Sequence, residues 1–173
     1  PRTKPIDLDK GLVFLNLLAE RYSETAFLFP EPFTSDELHY GGVDANIYQG
    51  YFYALKKEYE KAIEKLKIVT EKYPRKPLPD QLPGVMAYLK MAEIYKEINT
   101  RDMASKMYKE VILKFPDSAV NMDHNWMPGD MTATTELFNM WKGESPRLLK
   151  EAEEIISSPS AGQEAKAFAR LKT

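Results

Sequence analysis

Residues 59–74 read YEKAIEKLKIVTEKYP, and residues 103–116 read MASKMYKEVILKFP. Each run stops at a proline and carries an alanine twelve residues before it, Ala62 before Pro74 and Ala104 before Pro116. Ala62, Ile63, Leu66, Val69, Thr70 and Tyr73 make one apolar stripe at a 3.6-residue period. Ala104, Met107, Tyr108, Val111, Ile112 and Phe115 make the other. Lys and Glu fill the remaining positions, with Lys67 and Glu71 one turn apart, as on a solvated helix face. A proline can neither donate its backbone bond nor admit the preceding helical turn, so the spacing predicts two helices with the same stop.

The repetition reaches upstream of each run. Gly50 and Tyr53 precede Ala62, Leu66 and Pro74; Ala92 and Tyr95 precede Ala104, Tyr108 and Pro116, with every offset reproduced. The residue types have a packing reason. A small residue on each of two antiparallel helices lets their axes approach, and a large residue one turn away fills the gap beside the crossing. Each proline thus closes a two-helix unit whose open face needs a neighbour.

These residues resemble the tetratricopeptide repeat, a helix–turn–helix unit of about 34 residues with the pattern W-x2-L-G-x2-Y…A-x3-F…P. The likeness covers residues 43–76 and 85–118. In the first copy the opening Trp and Leu are Asn46 and Gln49, and the period is 42 because residues 77–84, PLPDQLPG, lie between the copies. Three prolines make that insertion a stiff excursion. The resemblance implies an all-α, single-domain helical-repeat solenoid (an α-α superhelix) over residues 1–173, with atypical capping elements at both ends.

At the N-terminal end, residues 1–42, a helix is expected from Asp9 to Tyr22, with Leu12, Leu15, Leu18, Ala19 and Tyr22 on one side. A long connection follows, with a short helical turn expected after Ser35. Phe27, Phe29, Phe33 and Tyr40 lie in it and are expected to tuck onto the first unit, the other reading being a binding surface. Residues 119–173 are expected to form a degenerate repeat or capping helices after a loop. Asp130 would cap a helix over 131–142, with Gly143 as its stop. Ser145 and Pro146 would open a second helix, and Ser160 with Gln163 would make a capping box for a third. Leu137, Phe138, Trp141, Leu148, Leu149, Ala152 and Ile156 supply apolar surface, and nothing in the pattern suggests strands.

Composition narrows the function. A net charge of -2 and a pI near 5.8 leave no globally basic surface, so nucleic acid is not an implied partner. The longest apolar run, residues 11–19, is too short to span a bilayer and is broken by Asn16. The absence of cysteine excludes disulfides, thiolate metal sites and cysteine nucleophiles. The chain opens PRTKP without methionine, which predicts an upstream segment, either a signal peptide, with a lipid anchor as one form, or a further domain.

No Walker, Rossmann or nucleophile-elbow glycine pattern is present. His39 reads as a turn residue, and His124 among Asp117, Asp123 and Asp130 lacks helical ligand spacing, so no catalytic, metal or cofactor site is expected. Met122, Trp126, Met127, Met131, Met140 and Trp141 are expected chiefly to fill the space between the second unit and the C-terminal helices, and otherwise to form a peptide-accepting patch.

The resemblance implies a concave surface lined by the first helix of each unit. Here it would include Asp44, Ile47, Tyr51, Ala54 and Leu55, then Met86, Leu89, Glu93, Lys96 and Glu97. The expected partner-binding residues are Ile47, Tyr51, Leu55, Met86, Leu89, Glu93 and Lys96, with Tyr51, Leu55 and Leu89 as the floor. Some members clamp the C-terminal carboxylate of chaperone tails with Lys and Asn. The matching positions here are Ile47, Tyr51 and Lys90, and Ile and Tyr cannot clamp a carboxylate. The expectation is a non-enzymatic scaffold that takes an extended or helical segment of a protein partner. The phrase KEVILKFPDS is also similar to bacterial envelope repeat proteins, the outer-membrane barrel-assembly lipoprotein and the Tol–Pal coordinator, which implies a periplasmic or envelope setting. The alternatives are a binder of a small apolar ligand and a regulatory domain of a larger protein.

Overall fold

A computed structural model of the chain describes residues 7–28, 38–75, 82–122 and 125–172. Its elements follow in the order α1 (Leu8–Arg21), β1 (Ala26–Leu28), β2 (Leu38–Tyr40), α2 (Gly41–Leu55), α3 (Tyr59–Lys72), α4 (Pro83–Glu97), α5 (Arg101–Lys114), β3 (Ala119–Met122), β4 (Asn125–Pro128), α6 (Gly129–Met140), α7 (Ser145–Ser157) and α8 (Gln163–Lys172). Each helix packs chiefly on its sequence neighbours, α1 on α2, α2 on α3, α3 on α4, α4 on α5 and α5 on α6, while α8 covers α6 and α7. The architecture is an all-α helical repeat.

The two quoted runs are α3 and α5, and the reason for their small residues is visible at the crossings. Ala62 and Ala104 are fully buried. A Cβ placed on Gly50 of α2 would lie 2.6 Å from Cγ of Leu66 on α3, so only glycine admits this approach of the two helices. Leu66 and Val69 of α3, and Tyr108, Val111 and Ile112 of α5, are buried in one continuous core with Val43, Met91, Leu137 and Ile155.

The turns repeat as faithfully as the helices. Lys57 and Asn99, forty-two positions apart, both take left-handed backbone, with φ of 61° and 58°. Lys57 N donates to Ala54 O and Glu58 N to Tyr53 O; Asn99 N donates to Lys96 O and Thr100 N to Tyr95 O. This pair of bonds is the Schellman closure, which satisfies carbonyls left open at a helix end. The second helices also end alike. Tyr73 and Phe115 cap α3 and α5 with nearly the same dihedrals, each donating to the carbonyl four residues back, just before the two prolines.

Tyr22 caps α1 in that same conformation, and Gly11 stands at the offset of Ala62 and Ala104. Helix α1 is therefore built like the second helix of a unit, a likeness not drawn from the sequence. It joins α2 through Gln49 Nε2 donating to Asn16 Oδ1 at 2.7 Å and Lys56 Nζ donating to Asp9 Oδ1 at 2.6 Å.

The expectation of no strands is corrected by two short antiparallel ribbons. Strand β1 pairs with β2 (Ala26 opposite Tyr40), and β3 pairs with β4 (Ala119 opposite Pro128). Long connections still have to satisfy their backbone groups, and a ribbon does so without a core of its own. His39 thus lies in a strand rather than a turn. Tyr40 packs against the core as the capping reading requires. Phe29, Phe33 and the turn expected after Ser35 lie outside the described residues, as do residues 77–81 of the insertion.

At the C-terminal end α6 begins at Gly129, so Asp130 sits inside the first turn instead of capping it. Asp130 is buried there, its carboxylate accepting from Met131 N at 2.8 Å. Gly143, with φ of 91°, makes the stop. Helix α7 starts at Ser145, with Glu144 at the cap position. The Ser160 hydroxyl lies 3.1 Å from that of Ser158, and α8 begins at Gln163, which displaces the expected capping box.

Helix α7 is tied to α5 by a polar ladder. The pairs are Arg101–Glu144 at 2.8 Å, Asp102–Arg147 at 2.8 Å and Lys109–Glu154 at 2.7 Å. In the middle, fully buried Glu151 receives Arg147 at 2.9 Å, Lys109 at 3.1 Å and the Ser105 hydroxyl at 3.0 Å. Trp141 is buried against this group, its Nε1 donating to Ser105 Oγ at 3.3 Å, with Arg147 over its ring at 4.9 Å. Trp141 thus fills the space between the second unit and the C-terminal helices, and Met140 packs there in part, while Met131 is half-buried. The side chains of Met122, Trp126 and Met127 lie outside the described residues.

Candidate partner-binding face

Helices α2 and α4 lie side by side, and contacts carry their shared face on to α6. Lys90 Nζ of α4 sits 5.4 Å above the Tyr51 ring of α2 and pairs with Glu93 at 2.8 Å. Lys96 of α4 pairs with Glu136 of α6 at 2.8 Å and lies 6.0 Å above the ring of Tyr108. Both lysines are thus engaged twice, by a carboxylate and by an aromatic face, and both sites repeat one chemistry.

The tyrosines answer to that setting. Burial first, then the charge of Glu93 and the proximity of Tyr48, push the Tyr51 hydroxyl up to about 12. Burial likewise pushes Tyr108 up to about 12, although Lys96 pulls the other way. Burial and then the Asp44 charge raise Tyr48. Burial works against the charge of Lys96, but the bond to Glu136 and the neighbouring Tyr108 outweigh it and its pKa is raised. At neutral pH Tyr48 and Tyr51 are therefore neutral and Lys96 is charged, already paired with Glu136.

The structure separates the residues expected from the sequence. Ile47 is only 1% exposed and belongs to the core, because on α2 it shares the inward stripe of Val43 rather than the open one; its expected role at the surface is corrected. Asp44 is also buried. Tyr51, Ala54, Met86 and Leu89 are half-buried against the core. Leu55 is 67% exposed, and Glu93, Lys96 and Glu97 are exposed. Tyr48, which sequence reasoning passed over, is 48% exposed and meets Tyr51 edge to face with ring centroids 6.4 Å apart. Its signal was available, since 48, 51 and 55 stand at i, i+3 and i+7 on α2.

Among the described residues no cluster of three His, Asp or Glu side chains could hold a metal ion, and Asp123 and His124 lie outside them. Among the described residues no helix is long and apolar enough to cross a membrane.

The family model for the tetratricopeptide repeat matches residues 44–75 and 86–118, the α2–α3 and α4–α5 pairs. Over those residues the two central units are similar to the tetratricopeptide repeat. No curated protein and no solved structure matches the chain. Tetratricopeptide repeats are in general protein–protein interaction modules, and the face formed by α2 and α4 belongs to the first helix of each of these two.

Proposed function

We propose that the protein is a non-enzymatic interaction scaffold whose α2–α4 face, the concave side of its tetratricopeptide repeats, docks a segment of a protein partner. One observation carries the reading. Tyr48 and Leu55 stand open beside half-buried Tyr51, Met86 and Leu89, while the lysines of the same face are consumed by internal contacts. Large apolar and aromatic side chains at the centre of a face, rimmed by charge, are the groups that carry binding energy. On this face Lys90 pairs with Glu93 and Lys96 with Glu136, which disfavours a carboxylate clamp.

The test is a photo-crosslinking amino acid placed at Tyr48 or Leu89 and, as control, at Glu64, which is exposed on α3. The reading predicts discrete protein adducts from positions 48 and 89 in the source cell and none from 64. Equal labelling from all three positions, or none from 48 and 89, would overturn it. A bacterial envelope setting rests on the KEVILKFPDS phrase alone and is a separate proposal, tested by fractionating the source cell.

A further inference from the structure

Two clefts built on one plan differ in what fills them. Each lies where the first helix of a unit starts against the end of the helix before it. Gly42 N donates to Ser23 O at 3.0 Å, and Gly84 N donates to Pro74 O at 3.1 Å. A Cβ on these glycines would stand 2.5 Å and 2.7 Å from those same oxygens, so the backbone frame of the two clefts is alike. In the second unit Tyr88 fills the frame. Its ring centroid is 6.2 Å from that of Phe115, with Lys114 Nζ 5.6 Å above the ring and donating to its hydroxyl at 3.4 Å. Forty-two positions earlier the place of Tyr88 is taken by Asn46, and no ring enters. Phe115 is 2% exposed, whereas its counterpart Tyr73 is only half-buried.

The first unit is left with an open cleft of about 720 Å³ between α1, α2 and α3. That volume lies in the range of about 300–1,000 Å³ usual for small-molecule sites. Asn46 lines it while 7% exposed; its Nδ2 donates to Gly42 O at 2.6 Å, and its Oδ1 has no partner among the described residues.

The charges differ as the ring does. The second unit carries Met107, Glu110 and Lys114 on α5, with Glu110 and Lys114 paired at 2.5 Å; the first carries Lys65, Ile68 and Lys72 on α3. Lys72 has thus lost the carboxylate that Lys114 keeps, and Lys65 adds a second cation. On the α1 side stand Glu20 and Glu24, the latter accepting from the Tyr73 hydroxyl at 3.3 Å. Among the described residues Lys65, Lys72 and Glu20 form no ion pair. The cleft is therefore basic on its α3 side, acidic on its α1 side and short of one aromatic ring.

We infer that this cleft binds a free aromatic amino acid. The ring takes the place that Tyr88 fills in the second unit, the carboxylate meets Lys65 and Lys72, and the ammonium meets Glu20, as charge-assisted contacts. The site is separate from the α2–α4 face. At ~100° per residue, Asn46 stands about 180–200° around α2 from Tyr48 and Leu55.

Amide NMR of the whole chain, titrated with L-phenylalanine from about 0.1 to 10 mM, tests this. Saturable shifts should gather on Glu20, Asn46, Ile68, Lys72 and Tyr73. Asn46→Tyr, which installs the second unit's own ring, should abolish them. Ile68→Glu, which gives Lys72 the carboxylate that Lys114 has, and Lys72→Met should each weaken binding at least ~fivefold. L-Alanine binding as tightly as L-phenylalanine, or unchanged binding in both Asn46→Tyr and Ile68→Glu, would overturn the site. Equal binding of phenethylamine would remove the role of the lysines. Equal binding of N-acetylphenylalaninamide would replace the free amino acid by an aromatic side chain of a peptide. Absence of shifts throughout would overturn the inference and leave the crosslinking test at Tyr48 untouched.

Discussion

Replacing Gly50 with alanine sets two effects of opposite sign against each other. In a helix interior the change should stabilise by about 1 kcal/mol, because glycine has more backbone freedom to lose. Here the new Cβ would lie 2.6 Å from Cγ and 2.7 Å from Cδ2 of Leu66, about an ångström inside van der Waals contact. Leu66 is fully buried in the core. Overpacking of this kind costs about 1–3 kcal/mol. The clash should win by roughly 1 kcal/mol, since α2 cannot move from α3 without also leaving α4. In a chain of this size that is a fall in Tm of about 2–4 °C. A cycle with Leu66→Ala isolates the cause. The single change Leu66→Ala should cost about 2–5 kcal/mol, and adding Gly50→Ala to it should restore stability rather than lower it further. Thermal and urea melts by circular dichroism read all four proteins. A Gly50→Ala protein more stable than the parent, or strict additivity with Leu66→Ala, would refute the close crossing at this glycine.

Other substitutions probe the turns and the C-terminal latch. Lys57→Gly should raise stability by up to ~1 kcal/mol, because Lys57 holds left-handed backbone at a helix end, and an unchanged or lower melt would deny that turn. Glu151→Ala should cost about 3 kcal/mol, the low end for breaking a buried pair, since Arg147 and Lys109 keep Asp102 and Glu154. Glu154→Ala, at the surface, should cost no more than ~1 kcal/mol, and equal losses would remove Glu151 from the centre of the latch. Tyr108, pushed up to about 12, binds its proton more tightly folded than unfolded. Its contribution is complete below a pH of about 10 and is lost as pH rises towards about 12. Urea melts across that window should flatten in Tyr108→Phe, and an unchanged slope would refute the assignment.

The repeated part of the fold was legible because period, small residues and prolines all point the same way from Gly50 to Pro116. The ribbons were not, because strands of three or four residues are too short to show a period of two, and their pairing is set by the helices that bring their ends together. The likeness of α1 to α3 and α5 was hidden by Gly11 standing for alanine and Ser23 for proline. At the proposed site, the residues read from the sequence mix two faces of α2. Ile47 and Tyr51 are four residues apart, which on α2 is enough to separate a core side chain from one at the edge of the open face. Tyr48 shares the i, i+3, i+7 stripe of Tyr51 and Leu55, a signal present in the sequence, but the stripe alone does not say which side of α2 its neighbours α1 and α4 leave open.

Backbone amide NMR of the whole chain, titrated with the protein captured by crosslinking at Tyr48, tests the central claim most directly. The account predicts that shifts concentrate on Tyr48, Tyr51, Leu55, Met86, Leu89 and Glu93, in fast or intermediate exchange, with α3 and α1 silent. Shifts confined to Val13, Phe14 and Leu17 on the outer side of α1, a separate exposed apolar surface, would contradict it.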